Sequence, residues 1–248
     1  MKHFRLFLLF FLVSGVLGFC LFGGDDEKTD ASPKNKEFVI LLHGLGRGPG
    51  SMEKLEKDLL EKGYRVLNEK YPSTKKEIDE LIEEFIAPQV AQCLAAGAEK
   101  IHFVTHSLGG ILLRVYLQDN DLPDESRVVM LSPPNKGSEL VDTLKDWPIY
   151  EWFFGSAGQV LGTDEESLPN QLKRIDVEVG VIVGNKTFEP WFSRMIPGED
   201  DGKVSVERAR LDEMKDFLIV EESHSFIMRK KAVRDQVLFF LDKGYFEK

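Results

Sequence analysis

Short blocks of consecutive apolar residues alternate along this chain with longer stretches in which apolar positions recur every three or four residues. The blocks are Phe38–Leu42, Tyr64–Leu67, Ile101–Thr105, Arg127–Leu131, Val177–Val183 and Phe217–Val220. Runs of this length predict strands buried on both faces, as in a parallel sheet. The intervening stretches read as helices: Ser51–Lys62, then Lys76–Ala96 with Ile78, Leu81, Ile82 and Phe85 as its apolar positions, then the segment after Ser107, and finally Lys230–Leu241. Strand and helix in alternation predict an α/β domain with a mostly parallel sheet of about six strands and helices on both faces. One connection breaks the rhythm. Pro133–Asp176 separates the fourth and fifth strands and carries the dense aromatic run Trp147-Pro148-Ile149-Tyr150-Glu151-Trp152-Phe153-Phe154. The chain shows no internal repeat.

The junction after the third strand carries chemistry. Thr105-His106-Ser107-Leu108-Gly109-Gly110 runs from strand to helix with a serine at the tip of the turn. A serine hydroxyl is a weak nucleophile unless it is held in the open beside a base. A sharp strand-to-helix turn exposes Oγ and tolerates only small neighbours. Gly109 supplies one, whereas Thr105 stands where G-x-S-x-G has its first glycine. A serine at this place also serves as a plain helix N-cap, so the partners decide. The five histidines are His3, His43, His102, His106 and His224, and only His224 follows Ser107. Hydrolases with such an elbow order their triad Ser, acid, His. His224 lies just beyond the sixth strand, at the end of the sheet where open α/β folds place their sites. The acid then falls in the loop Pro197–Val206. Asp201 is the choice, because Gly202 allows a tight turn that aims it inward, and Asp200 is the rival. The carboxylate would fix the tautomer of His224.

Upstream, the first strand runs into His43-Gly44-Leu45-Gly46-Arg47-Gly48. Acyl transfer needs two N–H donors on the developing oxyanion. The residue after the nucleophile, Leu108, supplies one, and the glycine-rich loop supplies the other through Leu45. His43 orients that loop. The loop has neither G-x-G-x-x-G nor a phosphate-binding lysine motif.

These segments resemble the α/β-hydrolase superfamily, in particular its bacterial lipase- and esterase-like members. The resemblance rests on His43–Gly46, Thr105–Gly110, Pro133-Pro134-Asn135-Lys136-Gly137-Ser138, Asp201-Gly202-Lys203-Val204-Ser205 and His224-Ser225-Phe226, and covers roughly Glu37–Phe240. It implies the α/β-hydrolase fold, with Asp201 matching the catalytic acid and His224 the catalytic histidine. Thr105 in place of glycine occurs in some lipases of the superfamily. Two strands that often precede this core are expected to be absent, because too few residues lie before Phe38. The insertion at 133–176 corresponds to a cap or lid. Trp147, Trp152, Phe153 and Phe154 then serve either as an apolar wall for an acyl chain or as ordinary core packing. Trp191 and Phe192 close the same pocket.

The first 24 residues are of another kind. Lys2 and Arg5 precede an apolar run from Leu6 to Phe22. This reads as a secretory signal cut after Gly18 or as an uncleaved membrane anchor, while Cys20 raises lipidation, against which Phe19 stands in the lipobox. In each case the catalytic domain at 37–248 lies outside the cytoplasmic membrane, either secreted or periplasmic or held at the membrane, and residues 25–36 form a polar tether. The formal net charge is -10, and without Lys2 and Arg5 it is about -12. That opposes binding to nucleic acid by bulk charge. With Cys20 in the leader, Cys93 stands alone and no structural disulfide is expected. No metal-site spacing appears, and the chemistry calls for no metal and no cofactor. The expected partner is a small-molecule or lipid ester substrate, cleaved through an acyl-enzyme. Acyltransfer, thioester or amide cleavage on the same three residues remains open, as does a non-catalytic binding module on this scaffold.

Overall fold

In the computed structural model, residues 36–145 and 155–248 are described. The chain divides into two units, Met1–Ser32 and Pro33–Lys248, and all described residues belong to the second. The leader and most of the tether therefore lie outside the described residues.

Six strands form a single parallel sheet: β1 (Glu37–Leu42), β2 (Arg65–Leu67), β3 (Lys100–His106), β4 (Arg127–Leu131), β5 (Glu178–Gly184) and β6 (Asp216–Val220). Their order is β2-β1-β3-β4-β5-β6. The helices are α1 (Glu53–Glu61), α2 (Ile78–Leu81), α3 (Ala87–Ala95), α4 (Leu108–Tyr116), α5 (Glu139–Leu144), α6 (Leu168–Gln171), α7 (Pro190–Ser193) and α8 (Lys231–Lys243). Residues 155–159 are helical as well.

Side chains alternate across a strand, and the apolar runs divide accordingly. Phe38, Ile40, Leu42, Phe103, Met130 and Val181 pack on one face with α2, α3 and α4. Val39, Leu41, Val104, Val129, Leu131 and Ile182 pack on the other with α1 and α8. Covering both faces is what makes the strands read as continuous apolar blocks. Each fully buried Val, Leu or Ile contributes about 1.5–3 kcal/mol relative to exposure.

The long helical pattern over 76–96 is not uniform. Between α2 and α3 the turn widens into a π-helical segment, Ile82–Ile86. Pro88 follows it. Proline has no N–H to return to the carbonyl four residues back, and π turns relieve such interruptions. Gln89 Nε2 donates to the Phe85 carbonyl at 2.7 Å and takes up part of the slack.

The strand order locates the site. From β1 the chain passes to β2 on one side and then crosses to β3 on the other. The direction of winding therefore reverses between β1 and β3. Crevices at such a switch, beyond the carboxyl ends of the strands, are where open α/β sheets bind ligands. Leu42 pairs in register with Thr105, so the loop after β1 and the turn after β3 leave the sheet side by side. Among the described residues, no helix is long and apolar enough to cross a membrane.

Candidate active site

β3 ends at His106 and α4 begins at Leu108, leaving Ser107 alone at the junction. Its backbone has φ 52° and ψ -119°. A non-glycine residue in this region costs of order 1–3 kcal/mol, and the surrounding bonds hold it there. Ser107 N–H donates to the Leu131 carbonyl at 2.9 Å, and Gly110 N–H donates to the Ser107 carbonyl at 2.9 Å. Small residues are needed because α4 starts against the end of β1. A Cβ at Gly109 would lie 2.5 Å from the Leu42 carbonyl oxygen. The threonine that replaces the usual first glycine is accommodated by a second one. Thr105 is fully buried, and a Cβ on Gly110 would sit 3.3 Å from its Oγ1. Leu108, the donor expected at the start of the helix, is wholly buried. As the first helical residue its N–H has no intrahelical acceptor.

Asp201 and His224 are joined twice. Asp201 Oδ2 accepts from His224 Nδ1 at 2.9 Å, and the His224 backbone N–H donates to the Asp201 carbonyl at 2.9 Å. The other carboxylate oxygen, Oδ1, accepts from the Lys203 N–H at 3.0 Å and the Val204 N–H at 2.9 Å. Asp201 is 1% exposed and His224 4%. Asp200 is engaged elsewhere: Oδ2 accepts from Ser193 Oγ and Oδ1 from the Gly202 N–H. Asp201, and not Asp200, thus carries the bond to the imidazole. Gly202 adopts φ +97°, and a side chain there would overlap Thr187. The loops after β5 and β6 can approach because β5 ends in Gly184. A Cβ on that residue would overlap the Glu222 carbonyl oxygen and lie 3.0 Å from Asp201 Cβ.

Two further histidines support these loops. His106 Nε2 lies 2.9 Å from the His224 carbonyl oxygen, which can only accept, so Nε2 carries the proton. Its ring is 4.8 Å from the His224 ring, centroid to centroid. Burial, followed by the nearby His224 and Arg47, pushes His106 well below the ordinary imidazole range, so it is neutral at physiological pH. The sequence offered no reason to single out His106. Its role depends on a contact across 118 positions. His43 is fully buried and stacks on Tyr71 at 3.8 Å. Its Nδ1 donates to the Gly44 carbonyl at 3.0 Å, Nε2 accepts from the Tyr71 N–H at 3.4 Å, and the Tyr71 hydroxyl donates to the His43 carbonyl. Burial lowers its pKa as well. With both ring nitrogens occupied, His43 braces the loop. The loop is closed further by Arg47 N–H to Gly44 O at 3.2 Å and by Gly46 N–H to Ser73 Oγ at 3.0 Å.

Ser107, His224 and Leu45 line a common cavity of about 550 Å³, within the usual range for small-molecule sites. Much of its wall comes from the insertion. Pro134, Leu140, Val141, Leu144 and Leu161 face it, together with Val204 and Phe192. Trp191, expected beside Phe192, does not line the cavity and is 56% exposed. Trp147, Trp152, Phe153 and Phe154 lie outside the described residues. The insertion is anchored by polar contacts that no periodicity announces. Ser138 Oγ donates to the Lys203 carbonyl at 2.7 Å, and the Asp142 carboxylate accepts from Thr163 Oγ1 at 2.6 Å and from the Thr163 N–H. Arg114 on α4 donates to the Asn135 carbonyl at 2.8 Å. Burial pushes its guanidinium down to about 10.

Among the described residues, no three His, Cys, Asp or Glu side chains converge in a way that could hold a metal ion. Cys93 is buried in the core away from the cavity, and burial pushes its thiol up to about 11. That thiol is a poor nucleophile at neutral pH.

No protein-family model matches the sequence, and no curated protein matches it significantly. Solved structures do match. The mature form of the Bacillus licheniformis lipase BlEst2 superposes with a TM-score of 0.68 at 20% identity, over 84% of this chain and 92% of that one. The esterase EaEST from Exiguobacterium antarcticum gives 0.58 at 16% identity, over 84% and 92% of the two chains. The metagenomic carboxyl esterase MGS0156 gives 0.59 at 16% identity, over 78% and 66%. The six-stranded parallel sheet with helices on both faces is the α/β-hydrolase fold that this chain shares with these bacterial lipases and esterases.

Proposed function

We propose that the protein is a serine hydrolase of carboxylic esters, with Ser107 as nucleophile, His224 as base and Asp201 as the acid that orients it. The observation that carries this is the buried Asp201–His224 pair at 2.9 Å, whose His224 lines the same cavity as a serine in a strained strand-to-helix turn. The shared fold of lipases and esterases adds support.

Asp201 occupies Nδ1 of His224, leaving Nε2 to take the Ser107 proton as Oγ attacks the ester carbonyl. The backbone N–H groups of Leu45 and Leu108 receive the oxyanion. Such donors matter because they are aimed before charge develops. The tetrahedral intermediate collapses as His224 returns the proton to the leaving alcohol. Water then repeats the sequence on the acyl-serine and releases the acid. Leu140, Val141, Leu144 and Leu161 form the side of the cavity that takes the acyl chain. Residues 1–24 direct the chain to or across the cytoplasmic membrane, with 25–36 as tether.

The test is hydrolysis of p-nitrophenyl esters of rising acyl length by the wild type and by Ser107→Ala. The wild type should turn over at least the shorter esters, and the variant should lose on the order of 10³-fold or more in kcat while remaining folded. Ordinary turnover by Ser107→Ala would end the proposal.

A further inference from the structure

Two charged side chains line the cavity beside Ser107, Arg47 and Lys203, and both are cationic. Among the described residues, no carboxylate joins them there, although the chain has 42 Asp and Glu against 32 Lys and Arg. The two cations differ. Lys203 is already engaged, 3.4 Å from Glu189 and 4.8 Å above the Phe192 ring. Arg47 is half-buried, and among the described residues its guanidinium has no ion pair and no hydrogen bond. The Arg47 backbone is fixed by its bond to Gly44, two residues after Leu45. A third cation, Arg229, follows His224 on the opposite loop and stacks over Phe226 at 5.7 Å.

A half-buried guanidinium without a partner gives up hydration with no compensating contact, and cations nearby add to the cost. Burial, then the charge of Arg229, pushes the Arg47 guanidinium below its ordinary range, and Glu189 opposes that only in part. An anion in the cavity would relieve both burdens. Guanidinium is also the side chain best shaped to receive a carboxylate or phosphate through two parallel N–H bonds. The position is specific as well. Arg47 shares a tight turn with the expected oxyanion donor, so an anion it holds sits close to the reacting carbonyl.

We propose that Arg47 is an anion-recognition residue, and that the preferred substrates are esters carrying a carboxylate or phosphate a short distance from the scissile bond. This rests on the ester-hydrolase function proposed above. The acyl chain packs on the apolar wall while the anion faces Arg47, with Lys203 and Arg229 adding a positive field at the mouth.

Matched ester pairs test it. In one arm the anion is on the acyl side: monomethyl glutarate against methyl pentanoate. In the other it is on the alcohol side: 1-butyrylglycerol 3-phosphate against 1-butyrylglycerol. The readout is the ratio of kcat/KM for the anionic over the neutral member, in the wild type, Arg47→Gln and Arg47→Lys. A charge-assisted bond predicts that the ratio falls about tenfold or more in Arg47→Gln in one arm, and less in Arg47→Lys, which keeps the charge but not the fork. The arm that responds identifies where the anion lies. The same esters are also titrated calorimetrically into Ser107→Ala and Ser107→Ala/Arg47→Gln, which reads the anion site without turnover. Arg47-dependent binding without any hydrolysis by the wild type would overturn the hydrolase proposal alone. Hydrolysis with a ratio unmoved within twofold in both arms, or an equal loss on both members of each pair, would overturn the anion site alone.

Discussion

Replacing Asp201 by Asn probes the site with a change of one atom, and the surrounding bonds fix how the new amide must sit. Oδ1 of Asp201 accepts from two backbone N–H groups, those of Lys203 and Val204, at 3.0 and 2.9 Å. Only the carbonyl oxygen of an asparagine can replace it there. The amide nitrogen is then left facing His224 Nδ1 across the 2.9 Å position now held by Oδ2. Two donors cannot share that contact, so Nδ1 must become an acceptor and the ring proton moves to Nε2. His224 in this tautomer cannot take a proton from Ser107. The expected loss is about 10⁴-fold in kcat, or about 5.4 kcal/mol of barrier. Stability should change less, by about 1–3 kcal/mol for the lost charged bond. Asp200→Asn is the control. Its oxygen can keep the Gly202 N–H, and its amide nitrogen can donate to Ser193 Oγ, which accepts as readily as it donates. Its kcat should stay within about threefold of the wild type, since no bond to His224 changes. Both variants are assayed with p-nitrophenyl butyrate, with melting temperature alongside to separate chemistry from folding. Asp201→Asn within about tenfold of wild type, or Asp200→Asn as the more damaging change, would refute the assignment.

Other changes reach different parts of the account. Gly184→Ala should lower the melting temperature and activity together, since its Cβ would overlap the Glu222 carbonyl oxygen and crowd Asp201; overpacking of this kind costs about 1–3 kcal/mol, and an unchanged melting temperature would show that the two loops do not depend on that approach. Leu144→Ala and Trp152→Ala should cost more kcat/KM as the acyl chain lengthens, each buried methylene being worth about 0.8 kcal/mol, whereas an equal loss at every length would make them packing residues. Mass spectrometry of the native N-terminus should find a chain beginning near Phe19; a diacylglyceryl Cys20 or an intact Met1 would replace cleavage with lipidation or a retained anchor.

The sheet was the most legible part of the chain. Its strands are buried on both faces, so Phe38–Leu42 and Arg127–Leu131 stand out as unbroken apolar runs that match β1 and β4 within a residue. The elbow was legible because strand, serine and glycine are contiguous there. What periodicity could not show were features set by contacts between distant segments. Thr105 reads as a flaw in the motif until Gly110 is seen beside it. Gly184 looks like the end of a strand, and only the approach of the Glu222 loop gives its missing side chain a purpose. The wide turn at Ile82–Ile86 is masked by an apolar pattern that continues through it. The aromatic run 147–154 drew attention by composition, yet among the described residues the insertion's apolar share of the cavity wall is aliphatic, from Pro134, Leu140, Val141, Leu144 and Leu161. Arg47 is one cation among 32 Lys and Arg in the sequence. That its guanidinium has no partner among the described residues emerges only from the folded surroundings.

The most direct measurement of the central claim is the site at which a serine-directed fluorophosphonate reacts. The protein is labelled, digested and mapped by mass spectrometry, with Ser107→Ala and Asp201→Asn in parallel. Activation by the Asp201–His224 pair predicts a single stoichiometric adduct on Ser107, much slower labelling in Asp201→Asn, and none in Ser107→Ala. An adduct on another serine, or ester turnover that survives with Ser107 unlabelled, would contradict it.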